Sequence, residues 1–467
     1  MFIGRKAELK VLEETYEKKG FQMTIVYGRR RIGKSTLITE FMRDKKASYY
    51  MASQSSLEDN VRKWSVQFIE DIIPEMQGVQ FQELSTFFQF VARICKDEKI
   101  ILALDEIPYI AETESSFLSQ FQSVIDTILV KTNIYLIICG SAISFMEKEV
   151  MSEKSPLFGR RTNQIFLKPF DYLESAQFVP HYTNEEKAIV YGVTGGVAKY
   201  LTLFDDSLSL DQNLINNFFT SSGYLYEEPR NLLMQEFRNV HTYNTVIEVM
   251  ASGANKFNEI SDKAHISTAS LTYIINNLIT VGIVSKVYCM TDIKNKRKIQ
   301  YRITDGMYNF WYRFVLNGRS SIEFHKGDVY YNAYVKKNLH DFMGDIFENM
   351  CQYYLMMQSL NGHIPYMITQ VGKWWGVGHD HIPTDIDVVG IDEMGKKAIL
   401  GECKFRNSLL DQAVYDDLMR KKGLINKKYQ EVLFIYFSLS GFSQGVLEGY
   451  DKKEVKLVTL DDLYKVT

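Results

Sequence analysis

Gly28-Arg29-Arg30-Arg31-Ile32-Gly33-Lys34-Ser35-Thr36 follows directly on the apolar run Gln22–Tyr27 (QMTIVY) and opens a segment with helical spacing over 34–43. The stretch has the form GxxxxGK[ST], set between a strand and a helix, where such a loop can work. The glycines let the backbone curl so that its N–H groups face phosphate oxygens. The helix N-terminus adds a favourable dipole. This assigns Gly28, Gly33, Lys34, Ser35 and Thr36 to phosphate and nucleotide binding. Lys34 reaches the β- and γ-phosphates of ATP, and the Ser35 hydroxyl ligates Mg²⁺.

Downstream, Ile100-Ile101-Leu102-Ala103-Leu104 runs straight into Asp105-Glu106. A buried strand that delivers two acids to its C-terminal edge suits the metal shell (Asp105) and the attacking water (Glu106). A further apolar run, 134–139, ends in Gly140-Ser141, which places Ser141 as a sensor of the γ-phosphate or the water. Phe158-Gly159-Arg160-Arg161 offers two guanidiniums, and either Arg160 or Arg161 suits an arginine finger. Short apolar runs separated by helical stretches indicate an α/β domain with a parallel sheet.

The remaining features bound the answer. A length of 467 residues suggests several domains, and 46% apolar with 24% charged residues suits well-filled cores. A net charge of −3 gives no global signal for nucleic acid. The five cysteines, Cys95, Cys139, Cys289, Cys351 and Cys403, form no CxxC pair, which argues against a disulfide framework or zinc ribbon. No apolar run reaches the roughly 20 residues of a membrane span, and MFIGRKAELK lacks a signal-peptide core. A cytoplasmic protein is expected.

Six ordered segments carry a resemblance: Phe2-Ile3-Gly4-Arg5 with Glu8-Leu9, then GRRRIGKST, LDEIPY, GSAISFM, SPLFGRRT and GGVAKYL. Together they resemble the archaeal-type ATPases of the AAA+/STAND group, over residues 2–205. The resemblance implies that Phe2, Gly4 and Arg5 lie near the adenine. One position departs from the family pattern: Ala198 stands where the last motif usually has proline.

Residues 168–235 read as helical. Three helices and two strands follow over 241–305. In the helix from about Ser267 to Thr280, Leu271, Ile274, Ile275 and Leu278 repeat at helical spacing, leaving Ser270, Tyr273, Asn276 and Asn277 on other faces. Strands at 283–288 and 299–303 flank the basic tip Lys294-Asn295-Lys296-Arg297-Lys298. That is a winged-helix pattern, with polar helix residues for base edges and a basic tip for DNA phosphates.

The C-terminal part holds a second carboxylate group. Asp385 and Asp387 share one face of a strand, as do Glu402 and Lys404 on the next. Adjacent strands bring Asp387 and Glu402 together as oxygen ligands for Mg²⁺, with Mn²⁺ as an alternative. Residues 340–460 resemble the PD-(D/E)xK nuclease core, which places Glu348, Asp387, Glu402 and Lys404 on the motif positions and implies metal-dependent cleavage of DNA. A helix from Ser408 to Lys421 adds Arg420, Lys421 and Lys422 as a basic face.

The expected fold class is therefore α/β. It comprises a P-loop parallel-sheet ATPase domain (1–167), a helical lid (168–237), a winged helix (238–320) and a restriction-endonuclease-like α/β domain (321–467). The expected function is an ATPase coupled to a DNA-directed nuclease. Two rivals stand beside it: a nucleotide switch that binds DNA or protein without cutting, and a signalling ATPase that assembles into homo-oligomers.

Overall fold

The computed structural model describes residues 2–95, 98–425 and 428–465. The chain divides into two compact units, one comprising 1–170 with 197–199, the other 171–196 with 200–467.

The first unit is built on five strands: β1 (Gln22–Tyr27), β2 (Ala47–Met51), β3 (Ile101–Asp105), β4 (Tyr135–Gly140) and β5 (Asn163–Phe166). They pair in parallel in the order β2-β3-β4-β1-β5. β3 and β4 are buried along their whole length, which explains why both read as unbroken apolar runs. Side chains alternate between faces. Met23, Ile25 and Tyr27 join a core with Trp64, Phe68, Phe87 and Phe121, while Val26 joins Leu37, Ile38 and Phe41 on the other side. The helix α1 (Lys34–Met42) starts after Gly33, whose φ of 95° favours glycine.

The second unit opens with helices, including α2 (Asn184–Thr194), whose start is fixed by a reciprocal capping box between Thr183 and Glu186. Then come α3 (Val240–Ala251), α4 (Phe257–Ala264), α5 (Thr268–Thr280) and the antiparallel hairpin of β6 (Val284–Val287) and β7 (Gln300–Ile303). Leu271, Ile274, Ile275 and Leu278 are the buried residues of α5. These are winged-helix-like features.

The long α6 (Leu339–Leu360) precedes a five-stranded mixed sheet. Its strands are β8 (Gln370–Val377), β9 (Pro383–Asp392), β10 (Lys397–Lys404), β11 (Gln430–Ser438) and β12 (Val455–Thr459), in the order β12-β11-β10-β9-β8. β8, β9 and β10 are antiparallel neighbours; β10, β11 and β12 run parallel. α7 (Gln412–Arg420) is shorter than the predicted Ser408–Lys421. Leu410 makes a parallel bridge to Phe442, and the Asp411 side chain caps the helix from the Val414 N–H.

Candidate functional site

The parallel order places β4 between β1 and β3, so three adjacent strands present their C-terminal ends together. Ligand sites of open α/β sheets form at such an edge. Gly28 leaves β1 with its Cα against β5: a Cβ there would lie 2.5 Å from the Leu167 carbonyl oxygen. Lys34 is buried, and its Nζ donates to the carbonyls of Gly28 (2.9 Å) and Arg29 (3.1 Å). The lysine thus closes the loop upon itself at the place where phosphate oxygens are expected. Thr36 is exposed on the outer face of α1.

Ser35 Oγ donates to Asp105 Oδ2 at 2.7 Å, joining the P-loop to the end of β3. A hydroxyl and a carboxylate meeting beside a phosphate-binding loop form a donor set suited to Mg²⁺. The Tyr49 hydroxyl donates to the same Asp105 oxygen. Burial first, and then the Asp105 charge, push the Tyr49 phenol well above its ordinary range, so it remains a donor. Tyr49 was not among the residues the sequence singled out. No local signal marked it: only the pairing of β2 with β3, with Tyr49 opposite Ala103, brings the phenol near Asp105.

Glu106 follows with φ 54°, a left-handed conformation uncommon for a side chain of this kind. Its carboxylate accepts from the Ser141 N–H (3.1 Å) and the Ser141 hydroxyl (2.9 Å). Arg5 is buried; it donates to the Ile32 carbonyl at 3.2 Å and stacks on Phe170, 3.9 Å from the ring centre. It therefore braces the P-loop, with Gly4 supplying a positive φ of 66° just before it and Phe2 packing on the same core. Lys199 N–H donates to Arg31 O at 3.1 Å, and Ala198 Cβ lies 3.5 Å from where a Gly33 Cβ would be.

The two arginines separate. Arg160 holds Asp126 with Nε (2.7 Å) and Nη2 (2.6 Å), while Nη1 serves the carbonyls of Pro156 and Phe158. That guanidinium is committed to its own domain. Arg161 reaches the Met151 carbonyl at 3.1 Å.

This edge has the geometry of a P-loop ATPase domain. Residues 2–204 match the family of ATPase domains found predominantly in Archaea. Residues 311–418 match a family described as "Archaea bacterial proteins of unknown function". An uncharacterized protein of Methanocaldococcus jannaschii is 29% identical over 432 residues, 91% of this chain and 92% of that protein. An uncharacterized ATP-binding protein of the same organism is 46% identical over 46 residues, 10% of this chain and 78% of that protein. Among solved structures, the Walker-type ATPase of Pyrococcus abyssi superposes with a TM-score of 0.49 at 18% identity, covering 67% of this chain and 96% of that one.

In the second unit, Asp387 and Glu402 each lie one residue beyond Val388–Gly401, the last register pair of β9 and β10. Cys403 N–H donates to Asp387 Oδ2 at 3.1 Å. Glu348 joins them from α6, and Lys404 Nζ binds Glu402 Oε1 at 2.6 Å. The structure also brings in residues that the sequence did not single out for this place. Lys373 Nζ, from β8, lies 2.9 Å from Glu348 Oε1, 3.1 Å from Asp385 Oδ2 and 3.2 Å from Asp387 Oδ1. Lys421 lies 3.5 Å from Glu402, and Arg302 of the hairpin 3.5 Å from Glu348. Burial and then Asp387 push the Glu348 carboxyl up to about 7. Burial works to raise Asp387 too, but Lys373 and Lys404 together hold it below the usual range.

Asp387 and Glu402, expected as metal ligands, lie in a cluster shared with lysines. Lysine ammoniums lie against Glu348 Oε1, Asp385 Oδ2, Asp387 Oδ1 and Glu402 Oε1, while Asp387 Oδ2 accepts from a backbone N–H and Glu402 Oε2 has no hydrogen-bond partner, Lys421 being 3.5 Å away. Among the described residues no group of three or more His, Cys, Asp or Glu side chains is arranged to hold a metal ion. The donor set as built does not fit Mg²⁺ or Mn²⁺. The basic face at Arg420, Lys421 and Lys422 also differs from expectation. Arg420 pairs with Asp417, Lys421 with Asp417 and Glu402, and Lys422 with Glu454.

On α5, Asn277 donates to the Tyr243 hydroxyl at 2.6 Å, which removes it from the outward face. Ser270, Tyr273 and Asn276 are exposed, as are Lys294, Lys296 and Arg297 at the hairpin tip. The five cysteines are buried and free. Among the described residues no helix is long and apolar enough to cross a membrane.

Proposed function

We propose that this protein is an ATP-driven nucleotide switch that binds DNA through its winged-helix-like module without cutting it. The observation that carries the nucleotide half is the meeting of Lys34, Ser35, Asp105 and Glu106 at one sheet edge. Lys34 and the loop N–H groups hold phosphates. Ser35 and Asp105 are the residues that hold Mg²⁺, whose charge offsets that of the phosphates when bound. Glu106 orients the attacking water, and Ser141, which now donates to it, is the residue whose N–H and hydroxyl can turn to the γ-phosphate. Arg161, rather than the saturated Arg160, is the guanidinium suited to act on the transferred group.

The DNA half is supported by the exposed Lys294, Lys296 and Arg297 beside the exposed polar positions of α5. The test is fluorescence anisotropy of duplex DNA across a salt series, with ATP and with ADP. Steep salt dependence, lessened in Lys296→Ala/Arg297→Ala, supports backbone contact. No binding in either nucleotide state, with ATP-driven assembly instead, moves the reading to the oligomerising signalling ATPase.

The second reading is a restriction-endonuclease-like domain that cleaves DNA at Glu348, Asp387, Glu402 and Lys404. Their juxtaposition across β9, β10 and α6 favours it; the lysine-filled cluster weighs against it. Plasmid cleavage lost in Asp387→Ala would decide for cutting.

A further inference from the structure

The cluster around Lys373 is not an empty acidic patch. Its ammonium lies within 2.9–3.2 Å of three carboxylate oxygens, donating a hydrogen bond to Glu348 Oε1 and forming ion pairs with Asp385 and Asp387. The side chains of Lys373 and Asp387 are 11% exposed and that of Glu348 13%, so these two pairs are largely removed from water, whereas Asp385 is half exposed. A charge taken from water at such cost persists where it is matched and hydrogen-bonded. Lys373 is also fixed along its backbone: its carbonyl accepts from Met290 N–H at 3.0 Å, and the next residue, Trp374, donates its indole N–H to Thr291 at 2.9 Å. The remaining carboxylate, Glu402, carries its own cations, Lys404 and Lys421.

A divalent metal needs several oxygens at about 2.0–2.6 Å around one point. Here that point is held by the ammonium. Access is not the obstacle, because Glu348 and Lys373 line a cavity of about 560 Å³ between the hairpin, α6 and β8.

We propose that Lys373 is the resident cation of this cluster, standing where a divalent metal would bridge the acids. The wild-type cluster accordingly takes no divalent metal, and replacing Lys373 by a neutral residue of similar length opens a divalent-cation site on Glu348, Asp385 and Asp387. This inference rests on the cluster geometry alone and is independent of the nucleotide-switch reading.

The experiment uses the full chain carrying Asp105→Asn, without nucleotide, so that the ATP site contributes little metal binding. Mn²⁺ alone is the probe, followed by the electron paramagnetic resonance of free ion and by thermal midpoint. In the Lys373-containing protein, Asp387→Asn is expected to leave bound Mn²⁺ unchanged. Lys373→Met is expected to gain one bound Mn²⁺ per chain and a Mn²⁺-dependent rise in midpoint, both lost in Lys373→Met/Asp387→Asn. Bound Mn²⁺ in the Lys373-containing protein that Asp387→Asn abolishes overturns the proposal. A folded Lys373→Met that gains no Mn²⁺ overturns it as well. Should Lys373→Met fail to fold, the Lys373-containing pair still decides: Mn²⁺ occupancy independent of Asp387 supports the resident lysine, and dependence refutes it.

Discussion

Ser141, at the end of β4, gives both its backbone N–H and its hydroxyl to the Glu106 carboxylate, at 3.1 and 2.9 Å. The residue proposed to sense the γ-phosphate thus holds the residue proposed to orient water. Glu106 must leave or share these bonds to reach a water. Ser141→Ala removes the hydroxyl bond and keeps the amide bond. We expect ATP affinity to hold while kcat falls roughly ten-fold, part of the about 10²–10⁴-fold that a positioned acid–base group supplies. Steady-state hydrolysis with a separate ATP-binding titration checks this; an unchanged kcat means the hydroxyl plays no part in aiming Glu106.

Lys34 presently spends its charge on two carbonyls of its own loop. Lys34→Ala loses phosphate charge and loosens that loop. Charge-assisted hydrogen bonds contribute about 1.5–3 kcal/mol each, so ATP affinity should fall by at least about ten-fold. Calorimetric titration that shows wild-type affinity would remove Lys34 from the nucleotide site.

Tyr49→Phe deletes one of two hydroxyl donors to Asp105 Oδ2 and leaves the ring in place. Losing one such bond costs about 1 kcal/mol. The Mg²⁺ concentration for half-maximal hydrolysis should therefore rise about five-fold, with ATP binding in chelator little changed. An identical Mg²⁺ requirement in the variant would make Tyr49 a packing residue only.

The Glu348 carboxyl is raised from an ordinary 4.5 to about 7, chiefly by burial. A carboxyl with a higher pKa folded than unfolded holds its proton more tightly in the native state. The stability this contributes is fully present below about 4.5 and lost as pH rises through about 7. Glu348→Gln cannot titrate, so its thermal midpoint should change less between about pH 5 and about pH 7.5 than that of the parent. Parallel midpoint curves for the two proteins would show that Glu348 carries no such proton.

The legible parts were those in which local pattern decides. Uninterrupted apolar runs mark β3 and β4 because both faces of those strands are covered. The spacing of Leu271, Ile274, Ile275 and Leu278 marks α5 because a helix buries one stripe. What sequence could not supply was the outcome of long-range register. Lys421 reads as part of a basic surface until β10 and the end of α7 set it against Glu402. Lys373 sits in an aromatic-rich stretch just before the aspartates, but only the pairing of β8 with β9 sets its ammonium among the acids. Asn277 lies at the edge of the outward face of α5, yet Tyr243 on α3 claims it.

The three residues Val197, Ala198 and Lys199 belong to the P-loop unit although the chain on either side of them does not. Lys199 N–H completes the hydrogen bonding of Arg31 O within the loop. During synthesis, then, the nucleotide site is not finished when the last strand of its sheet has emerged at Phe166. It waits for more than thirty further residues to leave the ribosome. A chain truncated after Phe170 should fold its sheet yet lack the backbone that steadies the P-loop, so the span of the domain along the gene and the span of the working site are not the same length.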